Sequence, residues 1–301
     1  METPTSKQEL LAEFGYLLKK IVEADFTTSP FKFILIKNFL SKEHFEQITT
    51  AEEIRRPKAS TTENLIDDLQ KTGYTVQMFP GCTTSVEEYL QAYKTKVWKV
   101  DKKLLEGFGL TLRLKEYKTS VVSRLVEFLN LPEFKTGLER KFNITKSTYV
   151  ETAIQKYLHG YEISPHPDAR LKAATYMLNI NTDDSSENLE IHTHLLRFKK
   201  EKAYIYDFWK SNALIDRCWV PWDWCESELV TNVNNSIVIF APSDATLHAV
   251  KLDYDHLNLQ RTQVYGNLWY MEKTAKYATT YNDLSKDSIK RIQAYVTSMV
   301  H

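Results

Sequence analysis

The run SPHPDA (164–169) sets an imidazole, His166, and a carboxylate, Asp168, two positions apart. In extended chain, residues i and i+2 point to the same side, so both could reach one ion. Pro167 between them lacks an N–H, which suits a strand edge or the mouth of a sheet better than a central ladder. With eight histidines in 301 residues, chance supplies roughly 0.4 His-x-Asp triplets, so the triplet needs a third ligand from elsewhere before it means anything. SIVIF (236–240) reads as a buried strand, and His248 follows it at the start of the next, LHAV (247–250). Two imidazoles and one carboxylate occupy one face of an octahedral ion and leave three positions open.

Arg261 opens a further strand, RTQVYGNLWY (261–270), thirteen residues after His248. A guanidinium is a planar fork for a carboxylate. The set is coherent for non-haem Fe(II) with a dicarboxylic cosubstrate. Three rival readings stand beside it. His166 and Asp168 could be a loop pair bonded to the backbone. His256, in the polar turn DYDHLN (253–258), competes with His248, although that turn reads as solvated. His192-x-His194 could form a cupin-like metal site, but the preceding glycine and later spaced glutamate of cupins are missing; the pair is expected to line the cavity or support the ligands.

These residues must be positioned by strands. From about residue 146 the chain is a series of short β-rich runs: 149–158, 173–181, 189–198, 203–209, 229–240, 246–251 and 261–270. Short strands separated by polar turns predict a sandwich or jelly roll. The first 145 residues read as mostly helix around one strand. A helical stripe over 8–24 carries Leu10, Leu11, Phe14, Leu17, Leu18, Ile21 and Val22. FKFILIKNFL (31–40) reads as a buried strand, and Ser41 as the N-cap of the helix KEHFEQITTAEEI. Helices are also expected over 86–107 and over 119–141, the latter broken by Pro132, with a last one over 283–299. The expectation is one domain spanning 1–301: a mainly β core (146–271), helical support before it and a helix after it.

The constellation His166-x-Asp168, His248 and Arg261 resembles the Fe(II)/2-oxoglutarate-dependent oxygenases, in particular their prolyl-hydroxylase-like branch. The likeness covers about 150–270, with an echo in IKNFLSKEHFEQI (36–48). It implies a distorted double-stranded β-helix (jelly roll), Fe(II) held by His166, Asp168 and His248, and 2-oxoglutarate chelated through its C1 carboxylate and ketone. Arg261 would grip the distal carboxylate, with Gln155, Tyr157 and Asn179 as further cosubstrate contacts. O2 is the second cosubstrate and succinate a co-product. Halogenating relatives lack the carboxylate, so Asp168 points to hydroxylation, desaturation or ring closure. The whole chain further resembles the algal kainoid synthases, which close a pyrrolidine ring on an N-prenylated glutamate. Hydroxylation of an amino acid or prolyl residue is the alternative within the class, and a non-catalytic jelly-roll binding protein the alternative outside it.

Composition narrows the partners. Lys plus Arg and Asp plus Glu both number 39, which gives no electrostatic footprint for nucleic acid or an anionic membrane and favours a small-molecule substrate. No run is long and apolar enough to span a bilayer, and the N-terminus has no secretory pattern. Three cysteines without metal-ligand spacing fit a reduced, cytoplasmic protein. Eight glycines and no phosphate loop argue against a dinucleotide fold. The three tryptophans of DRCWVPWDWCE (216–226) read as core packing or as an apolar lid. Arg170, Lys172, Arg197 and Arg217 read as solvated charges, any of which could instead enter the cavity and meet an anionic substrate.

Overall fold

The computed structural model describes residues 5–55, 58–77, 85–96, 106–214 and 216–272; Cys82 and the helix expected over 283–299 lie outside them. Helix α1 (Lys7–Glu23) is followed by β1 (Ile34–Ile36), α2 (Lys42–Thr50), α3 (Thr62–Lys71), β2 (Tyr74–Val76) and α4 (Val86–Thr95). Next come β3 (Glu106–Phe108), β4 (Thr111–Leu114), α5 (Ser120–Leu129) and α6 (Pro132–Phe142). The second half runs β5 (Thr148–Tyr157), β6 (Glu162–His166), β7 (Lys172–Asn179), β8 (His194–Phe198) and α7 (Tyr204–Ser211). It ends with β9 (Cys225–Val230), β10 (Ile237–Phe240), β11 (His248–Lys251) and β12 (Arg261–Tyr270).

The strands form two antiparallel sheets with flanking helices. The larger has the order β1-β10-β7-β12-β5-β4-β2, the smaller β3-β6-β11-β8-β9. Side chains alternate across the larger sheet, as strand geometry requires. Ile154, Tyr176, Leu178, Ile237, Ile239, Val264 and Leu268 meet Phe14, Leu17, Leu125, Phe128, Phe134 and Leu138 of the helices. The opposite face looks toward the smaller sheet: Met177, Val238 and Phe240 pack against Leu195 of β8, with Phe31 and Phe33. Gly266 lets the ring of Tyr176 lie flat on β12, since a Cβ there would come within 2.0 Å of the ring.

Several expected elements differ. The run 203–209, expected as a strand from its aromatic and β-branched residues, is helix α7. Ile205 and Trp209 are buried four residues apart against Leu196, Phe198 and Ala249 on the outer face of the smaller sheet, so period 3.6 overrides local propensity. The run 229–240 is two strands in different sheets. They are separated at Asn235 (φ +52°), whose side chain accepts from Leu40 N and donates to Leu40 O (2.8 and 2.9 Å) as a strand would. The strand expected over 31–40 shrinks to β1, and that over 189–198 to β8. Helix α4 stops at Thr95, and Glu106–Phe108 is a strand, not the end of a helix. Among the described residues of the first 145 there are four strands rather than one. Of these, β1, β2 and β4 join the larger sheet and β3 the smaller. Ser41 does cap α2, accepting from His44 N. Pro132 starts α6, where its missing N–H costs nothing.

Lys156, on the helix-facing side of β5, is 1 % exposed. Its amine donates to Ile54 O (2.9 Å) and Thr262 Oγ1 (2.8 Å). Burial pushes its pKa down from 10.5 to about 7. Between those values the unfolded chain holds the proton and the folded one does not, so this residue's contribution to stability rises with pH across that window, by about 1.4 kcal/mol per unit. Lys156→Met should therefore stabilise the fold near pH 7 by about 1–3 kcal/mol, net of the two hydrogen bonds lost. The gain should shrink by about 3 kcal/mol at pH 9.5. Denaturant unfolding of both proteins at the two pH values is the check; a pH-independent difference would refute it.

Candidate active site

His166 ends β6 and His248 begins β11, and the antiparallel register sets them directly opposite one another. Their ring centroids lie 4.3 Å apart. Each Nδ1–H donates to a backbone carbonyl two residues earlier, His166 to Ser164 O (2.9 Å) and His248 to Thr246 O (3.0 Å). Those bonds fix the tautomer and leave both Nε2 lone pairs for a metal. Burial above all pushes His248 down to about 3, so its imidazole is neutral.

Asp168 lies in the turn between β6 and β7 with φ +68°, a left-handed conformation that Asp tolerates better than most residues. The turn brings its carboxylate back to the histidines, 3.6 Å from His166 Nε2 and 3.8 Å from His248 Nε2. Ligand atoms of these three residues all lie within 4.8 Å of one another. Cis ligands of an octahedral ion stand about 3 Å apart, so a small contraction would seat a metal. Among the described residues no other group of three His, Cys, Asp or Glu converges in this way.

Two neighbours hold the carboxylate. Lys172, one turn of chain later, donates to Oδ1 (2.6 Å) and to Tyr265 OH (2.9 Å). Thr175 donates to Oδ2 (2.7 Å) and lies 3.1 Å from Asn267 Oδ1. Burial alone would raise the pKa of Asp168, but the Lys172 ammonium outweighs it and holds the carboxyl well below its usual range.

The inner face of the larger sheet continues the polar lining. Gln155, its amide turned to suit both neighbours, donates to Tyr157 OH (2.6 Å) and accepts from Arg113 (2.9 and 3.1 Å). Tyr157 OH lies 3.4 Å from Gln263, whose Nε2 donates to Asn179 Oδ1 (3.1 Å). Asn179 in turn donates to Thr231 O (2.7 Å). Arg261 sits over the Tyr157 ring, 4.5 Å from its centroid, and is 1 % exposed. Its one side-chain hydrogen bond is a long one to Thr193 Oγ1 (3.4 Å); Nε and Nη1 are buried with no partner. A permanent cation buried without a counter-ion is costly unless a ligand supplies the charge. Gln155, Tyr157, Asn179 and Arg261 thus share one surface.

Other expectations fare differently. His256 is not a solvated turn residue. It is fully buried, 2.9 Å from Thr62 Oγ1, and its Nδ1 accepts from His159 N, because the turn packs under α3. His194 has both ring nitrogens engaged, with Ser227 Oγ (2.9 Å) and Glu190 O (3.1 Å). His192 bonds Ser186 O and leaves Nδ1 buried without a partner. Burial first, then the nearby Arg261 charge, pushes it down to about 3. Neither joins the triad. Arg197 is solvated and paired with Glu226 and Glu228, whereas Arg170 and Lys172 are half-buried and Arg217 is buried. The three tryptophans are half-buried, with Trp219 6.4 Å from His166. Thr175, Tyr265 and Asn267 escaped the sequence reading. Their signal was the polar alternation Arg261, Gln263, Tyr265, Asn267 along one face of an otherwise apolar strand.

No helix among the described residues is long and apolar enough to cross a membrane, and Cys218 and Cys225 are buried free thiols. No family model matches the chain, and no curated protein does. Similar solved structures include a prolyl-4-hydroxylase from Pseudomonas putida: 8% identity, 86% of this chain and 100% of that one, TM-score 0.41. A prolyl hydroxylase from Trichoplax adhaerens, solved with a hypoxia inducible factor peptide, aligns at 9% identity over 90% of this chain and 94% of that one, TM-score 0.41. HygX from Streptomyces hygroscopicus, solved with nickel and 2-oxoglutarate, aligns at 11% identity over 76% and 94%, TM-score 0.32.

Proposed function

We propose that this protein is an Fe(II)/2-oxoglutarate-dependent oxygenase acting on a small carboxylated, amino-acid-derived molecule. The observation that carries the reading is the combination of a convergent His-Asp-His triad with Arg261, a buried guanidinium on the inner face of the same β unit with unpartnered donors. The first fits a facial Fe(II) site and the second a carboxylate that arrives with the ligand. The facing sheets are read as the distorted double-stranded β-helix (jelly roll), with the helices as its support in one domain.

When bound, iron(II), 2-oxoglutarate and O2 supply an oxidant able to take hydrogen from carbon, with succinate as co-product. His166, Asp168 and His248 would hold the metal. Lys172 and Thr175 keep the Asp168 carboxylate charged and aimed, and the two backbone carbonyls keep each Nε2 unprotonated. Arg261 would bind the distal carboxylate of the cosubstrate, its plane set by Tyr157 and Thr193. Phe240, whose ring is 4.9 Å from that of His248, shields the ligands from water. The carboxylate ligand fits hydroxylation, desaturation or ring closure, and the resemblance to kainoid synthases makes oxidative closure of an N-prenylated glutamate the specific reaction to try.

Anaerobic reconstitution with Fe(II), followed by succinate release on admitting O2, tests the class, and absence of both rejects it. Mass spectrometry of candidate substrates separates insertion of an oxygen atom from loss of two hydrogens. His192→Gln and His194→Gln should each lower turnover while leaving iron stoichiometry near one per chain. Iron lost from both, with His166→Ala still loaded, would move the centre to the other histidine pair.

A further inference from the structure

A second buried guanidinium stands beside the triad without a hydrogen bond. Arg217 is 8 % exposed, and its Nε is buried with no partner. Its nearest carboxylate oxygen, on Asp244, is 4.0 Å away. Neither Asp216 nor Asp244 hydrogen-bonds the guanidinium, and Asp244 Oδ1 is itself buried with no hydrogen-bond partner. Asp216 accepts from the backbone amides of Arg170 and Arg217 (2.8 and 3.0 Å). Asp244 lies closer to Arg170, at 3.3 Å. Two residues beyond Arg217, the indole Nε1 of Trp219 is likewise buried with no acceptor.

The backbone brings this pair to the metal ligands from two sides. Val220 N donates to Pro165 O (2.8 Å), which lays the segment 216–220 along the end of β6 and puts Trp219 near His166. On the other side, Asp244 belongs to the loop that leads to His248, where Thr246 Oγ1 donates to Pro167 O (3.0 Å). Arg217 therefore lies between the turn that carries Asp168 and the loop that delivers His248. Arg261 occupies a different place, at the start of β12 near Tyr157 and Thr193.

The geometry points to Arg217 and Trp219 as the site that binds a carboxylate of the organic substrate, a specificity determinant separate from the cosubstrate clamp; this rests on the oxygenase reading above. One guanidinium edge and one indole N–H match the two oxygens of a carboxylate. A phosphate dianion would need further donors, and Arg170 is engaged with Asp244 and Trp209 O (2.6 Å). An unpaired buried donor also rejects a ligand that cannot satisfy it, so the neutral carboxamide of the same ligand should be selected against.

The test uses the full chain loaded with Co(II) and saturated with N-oxalylglycine, so that the cosubstrate position is filled. A panel of free and N-alkylated amino acids is titrated calorimetrically, each beside its carboxamide. At least one acid should bind, with its carboxamide about tenfold weaker or more. Arg217→Gln should weaken that acid about ten- to a hundredfold, and Trp219→Phe about three- to tenfold. Neither should change N-oxalylglycine affinity. The inference is overturned if acid and carboxamide bind alike, if Arg217→Gln leaves the acid unaffected, or if no acid binds wild type that does take N-oxalylglycine. Failure of wild type to take N-oxalylglycine at all would instead reject the oxygenase reading, and the inference with it. Should Arg217→Gln not fold, Arg217→Lys, which keeps charge and loses the fork, and Trp219→Phe give the same readout.

Discussion

Asp168→Ala should empty the metal centre and abolish turnover. The residue is the only carboxylate in the convergent set, and two imidazoles alone leave an incomplete face on the ion. Loss of a residue that only supports a ligand typically costs about 10–100-fold in metal affinity, so loss of the ligand itself should cost at least that much. There is a second consequence. Lys172 would keep Tyr265 as its only hydrogen-bond partner beside the Trp269 ring, and a fully buried charge stripped of its counter-ion costs about 3–5 kcal/mol, an upper bound for this half-buried amine. Lys172→Met in the Asp168→Ala background should therefore restore the melting temperature without restoring iron. Asp168→Gly is the cleaner probe of the metal, since glycine takes the φ of +68° freely, adds no strain to the turn and leaves room for a water in place of the carboxylate, so it should keep a fraction of the iron. Iron stoichiometry and calorimetric unfolding of the three variants are the measurements. Full activity in Asp168→Ala would remove the residue from the centre.

Arg261→Lys should weaken 2-oxoglutarate binding about ten- to a hundredfold. The substitution keeps the charge and loses the planar fork and its stacking on Tyr157. A charge-assisted hydrogen bond is worth about 1.5–3 kcal/mol, which converts to that range. Iron affinity should stay where it is, because no atom of Arg261 belongs to the triad. Anaerobic titration of the iron-loaded protein, followed in the visible charge-transfer band, measures the dissociation constant directly. An unchanged value would move the clamp to another cation, with Arg170 and Lys172 the first to replace, although Lys172 is already bonded to Asp168 and Tyr265.

What the chain determined by itself is which residue types could act as ligands and the elements with a clean period. His166, His248 and Arg261 stood out because each lies at a strand end beside an alternating or buried run, Asp168 because it follows His166 by two positions, and β12 has the bounds its pattern implies. The long apolar stripe of α1 and the cap at Ser41 were legible for the same local reasons. Tertiary structure decided the rest. Only strand pairing sets His166 opposite His248, a contact across more than eighty residues of sequence that no local pattern encodes. Only packing on the smaller sheet makes a helix of Tyr204–Ser211, whose residues would serve a strand as well. Isolated cations look alike in a sequence. It took burial and the count of available acceptors to separate Arg197, paired in solvent, from Lys172, bonded to the Asp168 carboxylate, and from Arg217 and Arg261, each with at least one buried donor that meets no partner. The reason is physical: a side chain's charge is a local property, whereas its desolvation and its partners are set by whichever distant segments fold against it.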